Sequence, residues 1–343
     1  MAVLSPFNRQ PSAISVNPLR SSRSLGRIAI GAAMLATAGI SLASPAATAA
    51  IRSPRAVPAM YYLALGDSGP AGAGATDPKI KNPTNSNPKY GYVNLTYLHE
   101  LKKYKNLKLK NLACFGETTT SMLTPEPSTM GGLPCAAAPK SQMAAALAFL
   151  TLHKGHIAFI SLGIGGNDVN GSGTFAEEQL RLTAIESRIT GLLSSLKTAA
   201  PGVSIFGSDY HAVLVGPMGL IGNGQAPSQY CGGAPSCTGR EAAQINVTGT
   251  EMADTALQTT FVSNGEFFVN GAAGFDMDNW ALTGKFQGKT VPQNVANDCN
   301  FSWICADAAG GFSLHMNDRG QSLYATEQEA VIDATLTSTF KVR

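Results

Sequence analysis

Charge is scarce in this chain. Of its 343 residues 14% are Asp, Glu, Lys or Arg, and 7% are aromatic, with only two tryptophans. Low charge beside abundant Gly, Ala, Ser and Thr suits an exported enzyme better than a cytosolic one. The two signs nearly cancel. Arg9, Arg20, Arg23 and Arg27 stand in the first 27 residues, and without them 21 basic residues face 22 acidic ones. No broad electropositive surface follows from such a balance, which argues against a nucleic-acid or anionic-membrane partner. Trp280 and Trp303 alone do not suggest a long sugar groove. No C-x-x-C occurs and no histidine lies beside a cysteine, so the sequence offers no zinc site. It also lacks internal repeats, and past residue 60 it has no low-complexity linker.

What the chain does have begins with a leader. Residues 1–27 are basic with no acidic residue, 28–42 are small and apolar, and Ala47-Thr48-Ala49 is a small-x-small cleavage pattern. That order is the secretory signature. The apolar run falls short of the roughly 20 residues a bilayer span needs, which disfavours a membrane anchor. The expectation is a secretory signal over 1–49 and one α/β domain over 50–343, secreted, monomeric and with no stable membrane anchor after cleavage. Six cysteines follow the leader. An even count after a signal peptide implies disulfides in an oxidising compartment. Neighbours in sequence pair most simply, giving Cys114–Cys135, Cys231–Cys237 and Cys299–Cys305.

Strand-like and helix-like runs alternate. Strands are expected over 61–65, 107–113, 157–162, 203–207 and 266–269. Helices are expected over 92–103, 142–152, 175–198, 241–262 and from 318 to about 335. On the third helix Leu180, Ile185, Ile189, Leu192, Leu193 and Leu196 fall near helical spacing. Alternation of this kind argues a parallel sheet covered on both faces. The apolar stretch 212–221 reads either as a strand end with a packed loop or as the wall of an acyl pocket.

The first strand runs straight into Gly66-Asp67-Ser68-Gly69. A buried strand ending in Gly-Asp-Ser delivers a hydroxyl to the carboxyl edge of a sheet, where open α/β sheets place ligands. Pro70 breaks the G-x-S-x-G elbow of α/β-hydrolases, and the first histidine, His99, comes too late for the chymotrypsin order. Oxyanion donors are expected from the Ser68 N–H, from Gly116 after the second strand and from the Asn167 side chain after the third. Turn roles are the plain alternative for both Gly116 and Asn167. A serine needs a base. Among five histidines His315, in the loop before the last helix, is the one a terminal segment can bring to the sheet edge. His153 and His156 read as surface residues.

Four blocks in this order resemble the SGNH, or GDSL-type, hydrolase family, from Tyr61 to about Ala330. They are Gly66-Asp67-Ser68; Asn111 to Thr119, close to the N-L-x-C-x-G-E-T-T of exported actinobacterial members; Gly165-Gly166-Asn167-Asp168; and Leu314-His315-x-Asn317-x-x-Gly320. The resemblance implies a three-layer α/β/α flavodoxin-like fold with a mainly parallel five-stranded sheet. It implies a serine ester hydrolase, an esterase or lipase, with Ser68 as nucleophile, Gly116 and Asn167 as oxyanion donors and His315 as base. Asp67 and Asp168 would be structural, no metal or organic cofactor is needed, and the substrate is a small-molecule or lipid ester. Two positions depart from the family. Gly69 replaces the usual Leu, and Phe312 stands where an Asp is expected three residues before the histidine. The backbone carbonyl of Phe312 is the expected substitute for that acid, with Asp307 and Asp318 as the other candidates. A carbohydrate deacetylase and a non-catalytic exported binding protein are the alternative readings.

Overall fold

The protein is described from a computed structural model, covering residues 58–76, 86–125, 129–130, 133–169, 174–306 and 313–340. The leader at 1–49, Asp307 and Phe312 lie outside the described residues.

Five strands form the central sheet: β1 (Met60–Gly66), β2 (Leu107–Asn111), β3 (Ile157–Gly163), β4 (Ile205–Ser208) and β5 (Phe267–Val269). All pairings in it are parallel, in the order β2-β1-β3-β4-β5. The order is that of the flavodoxin-like doubly wound sheet, whose strand direction of growth reverses between β1 and β3. Register along β1 is set on both sides, Leu63 lying opposite Lys110 and Ile160.

Two-residue alternation sorts β1 between two apolar layers. Leu63 and Leu65 enter a core with Ile160 and Leu162 of β3, with Leu150 of α2 (Gln142–Leu152), Ile189 and Leu193 of α3 (Phe175–Ala199), and Leu257 and Phe261 of α5 (Gly239–Ser263). Tyr62 and Ala64 face the other way, with Phe159, Phe206, Val93 of α1 (Tyr92–Lys103) and Ile332 of α7 (Asp318–Phe340). A sheet buried on both faces by helices is the three-layer α/β/α arrangement, and its inner strands β1 and β3 read as near-continuous apolar runs for that reason. Helix starts are capped where long helices must begin: Thr174 with Glu177 and Thr238 with Glu241 each make a capping box. The three expected disulfides are all formed.

Two helices were not expected. The 212–221 stretch is neither strand nor loop throughout, because Val215–Ile221 forms α4, packed on α5 and on α6 (Gln293–Phe301). Glycine is a poor helix former, but here it allows contact: a Cβ on Gly219 would lie 2.2 Å from Val295 Cγ2. A second correction concerns α3. Leu180 is 74% exposed, and Leu182, two positions on and 1% exposed, takes its place in the buried stripe with Ile185, Ile189 and Leu193. Substituting Leu193→Ala should therefore cost about 2–5 kcal/mol in urea unfolding. Leu180→Ala should stay within about 0.5 kcal/mol of wild type.

Candidate active site

At the end of β1 the backbone turns at Gly66, whose φ is +131°. A Cβ there would sit 1.9 Å from the carbonyl oxygen of Gly163, so no side chain fits. The turn takes Gly66 out of the sheet ladder on one side, and Gln142 of α2 supplies what is lost. Gly66 N–H donates to Gln142 Oε1 at 2.6 Å, and Gln142 Nε2 donates back to Gly66 O at 2.9 Å. The same Nε2 donates to Glu117 Oε2 at 2.9 Å, tying the loop after β2 to the turn.

Beyond the turn Asp67 is buried and holds local structure. Its N–H donates to Gly163 O at 3.0 Å, its Oδ1 accepts Gly69 N–H at 3.0 Å, and its Oδ2 accepts Tyr210 O–H at 2.5 Å. Burial pushes its carboxyl up to about 6, against the hydrogen bonds of Tyr210 and Gly69. Ser68 is left partly exposed on this frame, and among the described residues its Oγ makes no hydrogen bond.

Several contacts stitch the segment after Ser68 to the chain end. Trp303 Nε1 donates to Gly74 O at 2.7 Å, Gln321 Nε2 to Ala73 O at 3.0 Å, and Thr76 N–H to Asp318 Oδ1 at 2.8 Å. Asp318 is thereby committed to Thr76 rather than to His315. The His315 segment is itself held by a bridge between Ser302 and Met316 and by Trp303 N–H donating to His315 O at 3.0 Å. Phe115 lies against the imidazole with ring centroids 5.2 Å apart. The partner of His315 Nδ1 is a residue that sequence reasoning missed: Ser313 Oγ, 2.9 Å away. A hydroxyl two residues before a histidine carries no signal of its own. With Nδ1–H donating to it, the lone pair falls on Nε2. Burial lowers the imidazole to about 4.

One cavity of about 580 Å³ brings Ser68, Asn167 and His315 together at the carboxyl ends of β1 and β3. Its other wall is apolar, with Leu182 and Ile185 of α3, Ala253 and Leu257 of α5, and Val213 and Leu214 after β4. Asn167 is exposed, and its Nδ2 donates to Glu117 O at 2.8 Å, drawing the loops after β2 and β3 together. Gly116 takes a positive φ of +73° one residue before Glu117, but it does not line the cavity. Asp168 faces away from the site, accepting Thr119 N–H at 2.8 Å and Thr119 O–H at 2.5 Å. A further histidine, His211 after β4, does line the cavity; its place just past a strand end was the available signal. Among the described residues one cluster has ligand-like spacing for a metal: His99, Glu100 and Asp333, between α1 and α7. Lys103 already serves it as cation, 2.9 Å from His99 Nε2 and ion-paired with Asp333.

No family model and no curated protein matches this chain. Solved structures similar to it include a phospholipase A1 from Streptomyces albidoflavus NA297, at 17% identity over 80% of this chain and 99% of that one, with a TM-score of 0.41. An extracellular lipase from Streptomyces rimosus is 15% identical over 80% of this chain and 100% of that one, with a TM-score of 0.47. The psychrotrophic esterase EstA from Pseudoalteromonas is 15% identical over 81% and 98%, with a TM-score of 0.41. All three TM-scores fall below 0.5, and the site is read from its own geometry. That geometry makes Gly66 the position least open to change. Gly66→Ala should yield no cooperatively folded protein, or one destabilised by more than about 4 kcal/mol, by circular dichroism and urea titration.

Proposed function

We propose that the chain is an exported serine ester hydrolase of SGNH type, with Ser68 as nucleophile and His315 as general base. One observation carries the reading: a serine, an amide donor and an imidazole from three distant loops line one cavity where the sheet order reverses. Three disulfides support export, since such bonds persist in oxidising compartments.

The chemistry is acyl transfer in two halves. Ser68 Oγ bonds to the ester carbonyl carbon as its proton passes to His315 Nε2, and the carbonyl oxygen becomes an oxyanion. Ser68 N–H and Asn167 Nδ2 stabilise that charge, and Gly116 N–H, outside the cavity lining, is the third donor that the family resemblance assigns. The imidazolium gives its proton to the departing alkoxide as the carbon–oxygen bond breaks. Water repeats the sequence on the acyl-enzyme. Hydrogen bonds of this kind tighten with substrate present, which fits the free Ser68 hydroxyl here. Ser313 Oγ positions the imidazole ring at 2.9 Å, and in the working tautomer it accepts Nδ1–H where a full triad has a carboxylate. The apolar wall of α3 and α5 favours an acyl chain longer than acetyl, which sets the esterase or lipase reading above a carbohydrate deacetylase.

A fluorophosphonate probe should label the wild type, and Ser68→Ala should abolish both labelling and p-nitrophenyl ester turnover. Full turnover in that variant would leave the chain without this mechanism, and no labelling of wild type would favour a binding protein. Across p-nitrophenyl esters from acetate to decanoate, kcat/KM should rise with chain length; a maximum at acetate would restore the deacetylase. Only the neutral imidazole accepts a proton, so kcat/KM should fall as pH drops through about 4 and hold level just above it. Ser313→Ala should slow kcat about tenfold by loosening the ring. Ser313→Asp should move the acid limb to higher pH, because a carboxylate beside Nδ1 stabilises the imidazolium.

A further inference from the structure

The cavity carries a second imidazole near the first. His211, 9% exposed, lines it together with Ser68 and His315. The His211 ring is stacked on Phe275, with centroids 4.6 Å apart and planes 24° apart. Its Nε2 is turned toward Asp298 Oδ1 at 4.0 Å, beyond hydrogen-bond reach, and is buried with no partner. Asp298 lies wholly buried beneath it, accepting Gly216 N–H at 2.8 Å. Nδ1 is then the ring nitrogen left to a ligand in the cavity. Burial, with the neighbouring His315 adding to it, keeps the ring neutral down to about pH 3. The mechanism above has no use for this residue.

The side of the cavity on which His211 stands decides what it meets. The leaving oxygen must lie against His315, which protonates it. The acyl chain belongs on the apolar wall of Leu182, Ile185 and Leu257. His211 stacks on Phe275, which packs in one cluster with Met316 beside His315, and Asp298 beneath it accepts Ser302 O–H, whose residue bridges Met316; this puts the ring on the His315 side of the cavity, the alcohol side of the ester. Building on the Ser68–His315 reading, we infer that His211 Nδ1 hydrogen-bonds a free hydroxyl on the alcohol half of the substrate. Partial esters of polyols are then the substrate class, ahead of esters of simple alkanols. A hydroxyl both donates and accepts, so it satisfies the imidazole in either tautomer. An alkanol leaves that nitrogen desolvated and unpaired, the kind of loss that separates substrates strongly.

The test uses the secreted protein and its His211→Phe and His211→Gln variants, with glycerol monohexanoate and propyl hexanoate followed by the same pH-stat titration of released acid. The two esters share an acyl group, so the ratio of their kcat/KM values reports the alcohol half alone. That ratio should favour the glycerol ester in wild type and fall about tenfold or more in His211→Phe. His211→Gln keeps a hydrogen-bonding nitrogen and should recover part of it. Phenylalanine preserves the stack on Phe275; should that variant fail to fold by circular dichroism, the ratio in His211→Gln decides, and a fall of more than about twofold supports the assignment. Ratios within about twofold of wild type in the folded variants overturn it. Ser68→Ala is run beside them: turnover persisting there overturns the nucleophile reading itself, whereas a dead Ser68→Ala with unmoved ratios overturns the role of His211 alone.

Discussion

The backbone of Gly66 is where the sheet becomes a site. Its N–H is taken by Gln142 Oε1, its C=O accepts from both Gln142 Nε2 and Cys114 N–H, and the space a side chain would fill is already held by the carbonyl of Gly163. Two requirements meet there. The chain must leave β1 sharply enough to expose a hydroxyl, and a polar backbone group turned out of a ladder inside a core must still be paired. Gln142 meets the second only because α2 is packed on the sheet, and its reach to Glu117 links the loop after β2 to the same point. The apolar core is thus what aims the polar groups: residues such as Leu63 and Leu150 set the position of α2, and α2 sets the turn.

The second half of the site comes from the far end of the chain and is brought in by backbone contacts. Carbonyls of Ala73 and Gly74 accept from Gln321 and Trp303, while Asp318 takes the N–H of Thr76. A Cβ on Gly74 would lie 2.4 Å from Met316 O, so the two segments touch backbone to backbone. Such contact leaves little freedom for the loop after Ser68 to drift from the loop that carries His315. It also explains why Asp318, which stood as a candidate acid partner, serves the frame instead.

Much of this was legible in the sequence, and for stated reasons. β1 and β3, buried on both faces, read as near-unbroken apolar runs, and the long helix α3 announces itself by its period. The three disulfides follow from the proximity of their cysteines. What escaped has no periodic signal. The helix α4 is seven residues long and contains Gly216 and Gly219, so propensity speaks against it, and only its contacts with α5 and α6 make it form. Leu180 fits the buried stripe of α3 by residue type but not by its angle on the helix, where Leu182 lies instead. Ser313 was invisible because a hydroxyl partner for an imidazole depends on loop geometry, which no local pattern encodes.

Neutrality is the electrical theme of the cavity, and it bears on the absence of an acid at position 312. Burial moves Asp67 up to about 6, Asp298 up to about 7 and His315 down to about 4, each toward its uncharged form. A carboxylate beside His315 in such surroundings would have to be desolvated as well, and its charge would hold a proton on the ring. A hydroxyl at 2.9 Å orients the same ring without that penalty and leaves Nε2 unprotonated through the weakly acidic range. It contributes less to the imidazolium when that ion forms. The burden of stabilising charge in the transition state then shifts toward the oxyanion donors and toward contacts with the alcohol half of the ester. On this reading a site whose base has, among the described residues, a hydroxyl and no carboxylate for a partner depends more heavily on how well the substrate itself is held.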